Sequence, residues 1–524
     1  VAGLADVVLR GLLLTCTCLA VGGVAWVGLV LRVEPHAKPA GQTSRALRLV
    51  AIAALLAAAA QAAVLGVTLA ALTARLDAVP LASFLGSGFA GAALGRIGLA
   101  LGLGVVAAYL ATRPGSLAAW AALGGLAVGL GATGAALSHA AARLEGRGVL
   151  FALDAVHLLA VAAWVGGLGH LVRHAWAPRD EPAPRDHEVA RRFSALALAA
   201  VSTLVVTGVL LTVLYVGEPG ALVGTAYGVM ILTKAALLLA VLPLAYVNFR
   251  LVRRATGTAD PRVARTAEAE LGIAITVLFA AASLTALPPA ADVREERATA
   301  GEVAERFRPA PPRLVSPPID ELLRAADPLM APPGQRTAVE RAWSEYNHHW
   351  AGLVVLTMGL LAVLERLGVR AARHWPLAFL GMAAFLFFRS DPRAWPLGPA
   401  GFWESMLLPD VLQHRAFVVL IVAFSVFEWM VRTARLPRQP WGYVFPLLCA
   451  LGGAMLLTHS HAMLGLKAEF LTEVTHAPLG ILGTLAGWAR WLELRLPEAG
   501  EAPGWLWRAG LLAVALLLLF YREA

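Results

Sequence analysis

Asp154 and His157 stand three residues apart in an apolar run, with Trp164 seven residues beyond and Gly166-Gly167 closing the stretch. On a helix, positions i and i+3 share a face, and i+7 returns to it after about two turns. An acid and an imidazole are costly in hydrocarbon. They are kept there either to bond a neighbouring helix or for ligand chemistry. In the second case the imidazole binds a metal ion or haem iron, and the acid and Trp164 orient it. The acid–imidazole spacing recurs in Asp410/His414 and Glu473/His476. Each acid opens a helical run, so capping or dipole stabilisation is the competing reading.

Other histidines extend the set. His139 precedes the Asp154 run, His348 and His349 are adjacent, and His459-Ser460-His461-Ala462-Met463 puts two imidazoles and a thioether together. Imidazole suits copper, iron and zinc, and the thioether favours Cu(I). Alternate residues on a regular helix diverge by about 200°, so the last three converge only if the helix end unwinds. Facing histidines at similar depth serve equally to bind a b-type haem. His139 and His157 form one possible pair. His414, His459 and His476, with His348 or His349, form a second cluster. Lys234 and Glu428 interrupt other apolar runs and mark a possible ion path, with snorkelling and structural bonding as the plainer alternatives.

These residues need a scaffold, and the composition defines it. Of 524 residues, 59% are hydrophobic and only 15% charged, and the mean hydropathy is +0.70. Soluble domains carry roughly 25% charged residues. The expectation is an all-α polytopic membrane protein with about 14 transmembrane helices. Eight lie in residues 1–288 and six in residues 346–524, joined by a Pro-rich extramembrane segment over 289–345. Short helices are expected near 319–326 and 337–346, and a short span begins at Trp375. The net charge of +9 reads as topology signal, and no nucleic-acid recognition motif is present. The three cysteines Cys16, Cys18 and Cys449 show neither zinc spacing nor a disulfide framework.

Basic residues cluster in the odd-to-even connections, as in Arg191-Arg192 and Arg253-Arg254. By the positive-inside rule, both termini and the 289–345 segment lie outside. His139, His157, His348, His349, His414, His459, His461 and His476 then share the outer side. His36, His170, His174, His187 and His374 fall among inner loops, as solvated or headgroup-level residues.

Several of these stretches together resemble the copper resistance protein D family. They are Ser138-His139-Ala140, Asp154–Gly167 with its H-x6-W-x-G-G pattern, and Val206-Thr207-Gly208-Val209 after Arg191-Arg192-Phe193-Ser194. Thr225-Ala226-Tyr227-Gly228, Leu232-Thr233-Lys234 and Asn248–Arg250 complete the set. The resemblance covers about residues 90–255, with the six-span remainder similar to a C-terminal extension found on some members. It implies a bacterial inner-membrane protein that transports or delivers copper near the periplasm. A periplasmic copper carrier or a membrane cuproenzyme would be its partner, and the bilayer its medium. Methionine-rich external segments and a fused copper-binding sandwich domain, present in some copper proteins, are not evident here. The family layout is also similar to di-haem b-type cytochromes. The alternative is therefore a redox subunit that binds haem b through the same histidines and exchanges electrons with a quinone or partner subunit.

Overall fold

The computed structural model describes residues 2–32, 41–76, 81–113, 115–139, 146–177, 186–255, 260–325, 337–458 and 467–523. Among them are helices and no strand. Thirteen helices are long and apolar enough to cross a membrane. The thirteenth expected span in chain order, over 475–494, is present as the helix His476–Arg495. Arg490, Glu493 and Arg495 dilute its apolar character, and it is not among the thirteen. The short span at Trp375 is lengthened by a 3-10 segment, Arg370–Leu377, ahead of the helix Ala378–Arg389. Pro376 lies in that segment, where its missing N–H favours irregular helix over an α-helical interior.

The Pro-rich stretch is more structured than its composition suggests. Ala300–Arg306 forms a helix capped reciprocally by Thr299 and Glu302, and Ile319–Ala325 forms a second. The next helix, Ala338–Arg366, starts at a Thr337/Glu340 capping box and runs unbroken through the ninth expected span. Residues read as a separate short helix are its first two turns, because the cap satisfies the amide groups that would otherwise end it.

The chain divides into two compact units. One comprises residues 2–217 and 237–291, the other 218–236 and 292–524. In the first, the helix Ala2–Ala25 packs on Gly41–Leu76 and on Pro261–Leu284. It also meets the π-helical turn Ala162–Gly166, where backbones touch. A Cβ on Gly166 would lie 1.9 Å from the Cys18 carbonyl oxygen, and one on Gly22 would lie 2.1 Å from that of Ala162. Only glycine permits that approach.

In the second unit, Met358, Trp375, Phe379, Phe424, Phe445 and Trp507 form a buried core. Beside it lies a buried ion network. Arg432 pairs with Glu365 and Glu428, Arg490 with Glu428 and Glu493, and Arg508 with Glu493. The Trp375 and Trp507 indoles donate to Glu365 and Glu493. Such a network is stable only because nearly every charge has an opposite neighbour.

Candidate functional site

The second unit holds a cavity of about 480 Å³ with His348, His414 and His476 in its lining. The helices Ala338–Arg366, Pro409–Arg432 and His476–Arg495 supply one imidazole each. In all three the Nδ1 atom is held. His348 Nδ1 donates to the Ser344 carbonyl at 2.8 Å, one turn back on its helix. His476 Nδ1 donates to the Glu473 carbonyl at 3.2 Å. His414 Nδ1 lies 3.0 Å from both carboxylate oxygens of Asp391. A carbonyl or carboxylate oxygen can only accept, so each Nδ1 carries the hydrogen and, on the neutral ring, each Nε2 the lone pair.

Asp391 itself accepts from Ser390 Oγ at 2.6 Å. Burial pushes its carboxyl upward, but the hydrogen bond and charge of His414, the Ser390 hydroxyl and the Arg415 charge outweigh it. The net pKa lies below the usual aspartate value. The pair is thus an ionised carboxylate orienting an imidazole, the arrangement that raises ligand basicity. His348 stacks on the Tyr521 ring at 3.9 Å, and its ring centroid is 5.9 Å from that of His476. Tyr521 Oη and Ser344 Oγ both donate to buried Glu523, at 2.5 and 2.6 Å. Among the described residues, no three His, Cys, Asp or Glu side chains are close enough to hold one ion together.

The other expected residues distribute as follows. His349 is fully buried. Its Nδ1 accepts from the Arg313 amide at 2.6 Å and its Nε2 donates to the Tyr521 carbonyl at 2.8 Å. Both ring nitrogens are taken by backbone, so His349 fastens chain segments and leaves the ligand set. Glu473 reaches His476 through its carbonyl. His459, His461 and Met463 lie outside the described residues, as does the Asp410 side chain. Among the described residues the acid on His414 is Asp391, 23 positions earlier, which no helical spacing links to it. The signal available was only a Ser-Asp-Pro turn between two apolar runs.

In the first unit, Asp154 accepts from Ser138 Oγ at 2.6 Å and Tyr215 Oη at 3.2 Å. His139 packs edge-on against Tyr215, with Nε2 3.4 Å from the Leu284 carbonyl. His157 Nδ1 lies 2.9 Å from Thr207 Oγ1, whose hydrogen goes to the Thr203 carbonyl at 2.7 Å. His157 Nδ1 is therefore the donor, and its Nε2 carries the lone pair. Trp164 is buried and borders a different cavity, beside Glu270.

Lys234 is half-buried. Glu428 is enclosed, with Arg432 and Arg490 at 2.7 and 3.3 Å, and joins Pro409–Arg432 to His476–Arg495. Of the inner histidines, His374 is exposed as its loop suggests and His36 lies outside the described residues, whereas the other three are held within the fold. His170 is 2% exposed and bonds the Leu19 carbonyl at 3.1 Å. His174 pairs with Asp186, and His187 donates to the Val252 carbonyl.

Thirteen apolar helices, with buried polar groups paired between them, define an all-α polytopic membrane protein. Residues 187–284 match the family model described as Copper resistance protein D. Copper transport protein CutJ of Bacillus subtilis (strain 168) is 35% identical over 151 residues, 28% of this chain and 27% of that protein. Over these stretches the chain is similar to the copper resistance protein D family. The shared stretch is a little over a quarter of the curated relative's length. No solved structure matches the chain. The family-matched segment contains Thr207, Tyr215 and Leu284, the partners of His157, Asp154 and His139.

Proposed function

We propose that this protein handles copper at the bacterial inner membrane, as a transporter or delivery protein using periplasm-side imidazoles. The observation that carries the reading is the common state of His348, His414 and His476. All three line one cavity with Nδ1 bonded to an oxygen, which on the neutral ring puts the lone pair on Nε2. The family-model match over residues 187–284 and a similar protein named as a copper transport protein support copper among the metals imidazole binds. A cargo ion that must leave again is better served by ligands spaced along a cavity than by a closed chelate. His459, His461 and Met463 join the proposal from sequence alone, as does His157 with His139 as a second site. The basic connections support N- and C-terminal sides facing the periplasm. There a soluble copper carrier, or a membrane cuproenzyme, would exchange the metal.

The test is metal analysis and an absorbance spectrum of detergent-purified protein. We expect bound copper without haem. The copper content should fall in His414→Ala and in His348→Ala, with the elution profile unchanged. A Soret band in copper-free protein would overturn the proposal in favour of a b-type haem subunit exchanging electrons with a quinone or partner. Copper content unmoved by either variant would remove the cavity from it.

A further inference from the structure

The first unit contains a separate cavity of about 330 Å³, within the range of small-ligand pockets, roughly 300–1,000 Å³. Trp164, Phe193, Tyr246 and Phe249 are among its walls. Leu198, Leu242 and Tyr246, at its border, are 60, 40 and 58% exposed on spanning helices. Hydrocarbon-facing side chains at the mouth make the bilayer the route of entry. At the inner end sits Glu270, only 3% exposed.

Asn248 links Glu270 to the neighbouring turn. Its Oδ1 meets the Thr266 hydroxyl, which also bonds the Arg262 carbonyl at 2.6 Å, and its Nδ2 donates to Glu270 Oε1. The last group is an acceptor, and among the described residues no ion pair is formed with it. Burying a charged ligand here would be costly, whereas a neutral one bearing a donor would bond the carboxyl. The aromatic walls favour a flat ring, through stacked or edge-on contact.

We propose that this cavity binds a neutral, lipid-soluble ring compound bearing a hydroxyl, of the phenol or hydroquinone class, with its O–H donated to Glu270. This does not rest on the copper reading. The test is saturable binding of radiolabelled 2-naphthol to the full-length purified protein, above a detergent-micelle blank, with naphthalene as competitor. We expect naphthalene to compete about tenfold more weakly than unlabelled 2-naphthol, the worth of about one net hydrogen bond. Glu270→Leu should weaken naphthol binding by a similar factor and remove the difference between the two rings. Equal competition by naphthalene overturns the proposal, as does undiminished naphthol binding in Glu270→Leu. The comparison of the two rings on the unmodified protein decides the matter even if the variant fails to fold.

Discussion

Asp391 and His349 show how differently two polar residues near one cavity behave. Asp391 orients His414, so Asp391→Asn should weaken copper binding about 10- to 100-fold, read by competition with a chromogenic chelator. Because its folded pKa is depressed, Asp391 contributes stability that is present above the unfolded value, about 3.9. That contribution is lost as pH falls through the lower folded value. The difference in unfolding midpoint between the protein and Asp391→Asn should therefore hold from neutral pH to about pH 5 and vanish only in stronger acid. His349→Phe should behave oppositely. It leaves the Arg313 amide and the Tyr521 carbonyl without their partner, at a cost of roughly 1–3 kcal/mol for the buried carbonyl, yet copper content should persist. A lowered melting midpoint with unchanged metal would check it. The sequence made the histidines visible, but their second partners were not. Backbone carbonyls and a turn acid at a distance of 23 residues carry no periodic signal. Adjacent His348 and His349 look equivalent in the sequence, yet His348 stacks on the Tyr521 ring beside the cavity whereas His349 is buried against backbone groups.

At the scale of elements, hydrophobic runs gave nearly every span, because a bilayer demands length and apolarity and little else. Two features escaped. Capping boxes turn part of the Pro-rich stretch into helix, and π-helical turns interrupt apolar runs at Trp26–Leu31 and Ala162–Gly166. The second turn presents Gly166 to the Cys18 carbonyl so closely that any side chain collides with backbone. Gly166→Ala should lower stability by about 1–3 kcal/mol, seen as a lower thermal midpoint in detergent with Gly148→Ala as the control. Gly148 has nothing within 4 Å of an added Cβ. The H-x6-W-x-G-G pattern thus joins residues of different use. His157 bonds Thr207, Trp164 borders the aromatic cavity, and Gly166 sets the distance between two helices.

For the whole molecule, the ion network of the second unit separates a structural from a conducting role for Glu428. Arg432→Ala leaves buried Glu428 and partly buried Glu365 short of a partner and should cost about 3–5 kcal/mol. If Glu428 only clamps helices, copper uptake by cells should scale with the folded protein recovered for each variant of the network. Uptake lost in Glu428→Gln at normal yield would assign it to an ion path.

The residues that fasten Tyr521 and Glu523 to His348, His349 and Ser344 bear on the order in which the site comes into being. A nascent chain emerges from its N-terminal side. It can insert the helices carrying His348, His414 and His476 before residues 521–523 have left the ribosome. Until they arrive, the ring that His348 stacks on and the carbonyl that His349 bonds are both missing. The surroundings of His348 and His349 are therefore completed only once residues 521–523 are made, and a chain stalled short of this segment would enter the membrane with the cavity unfinished.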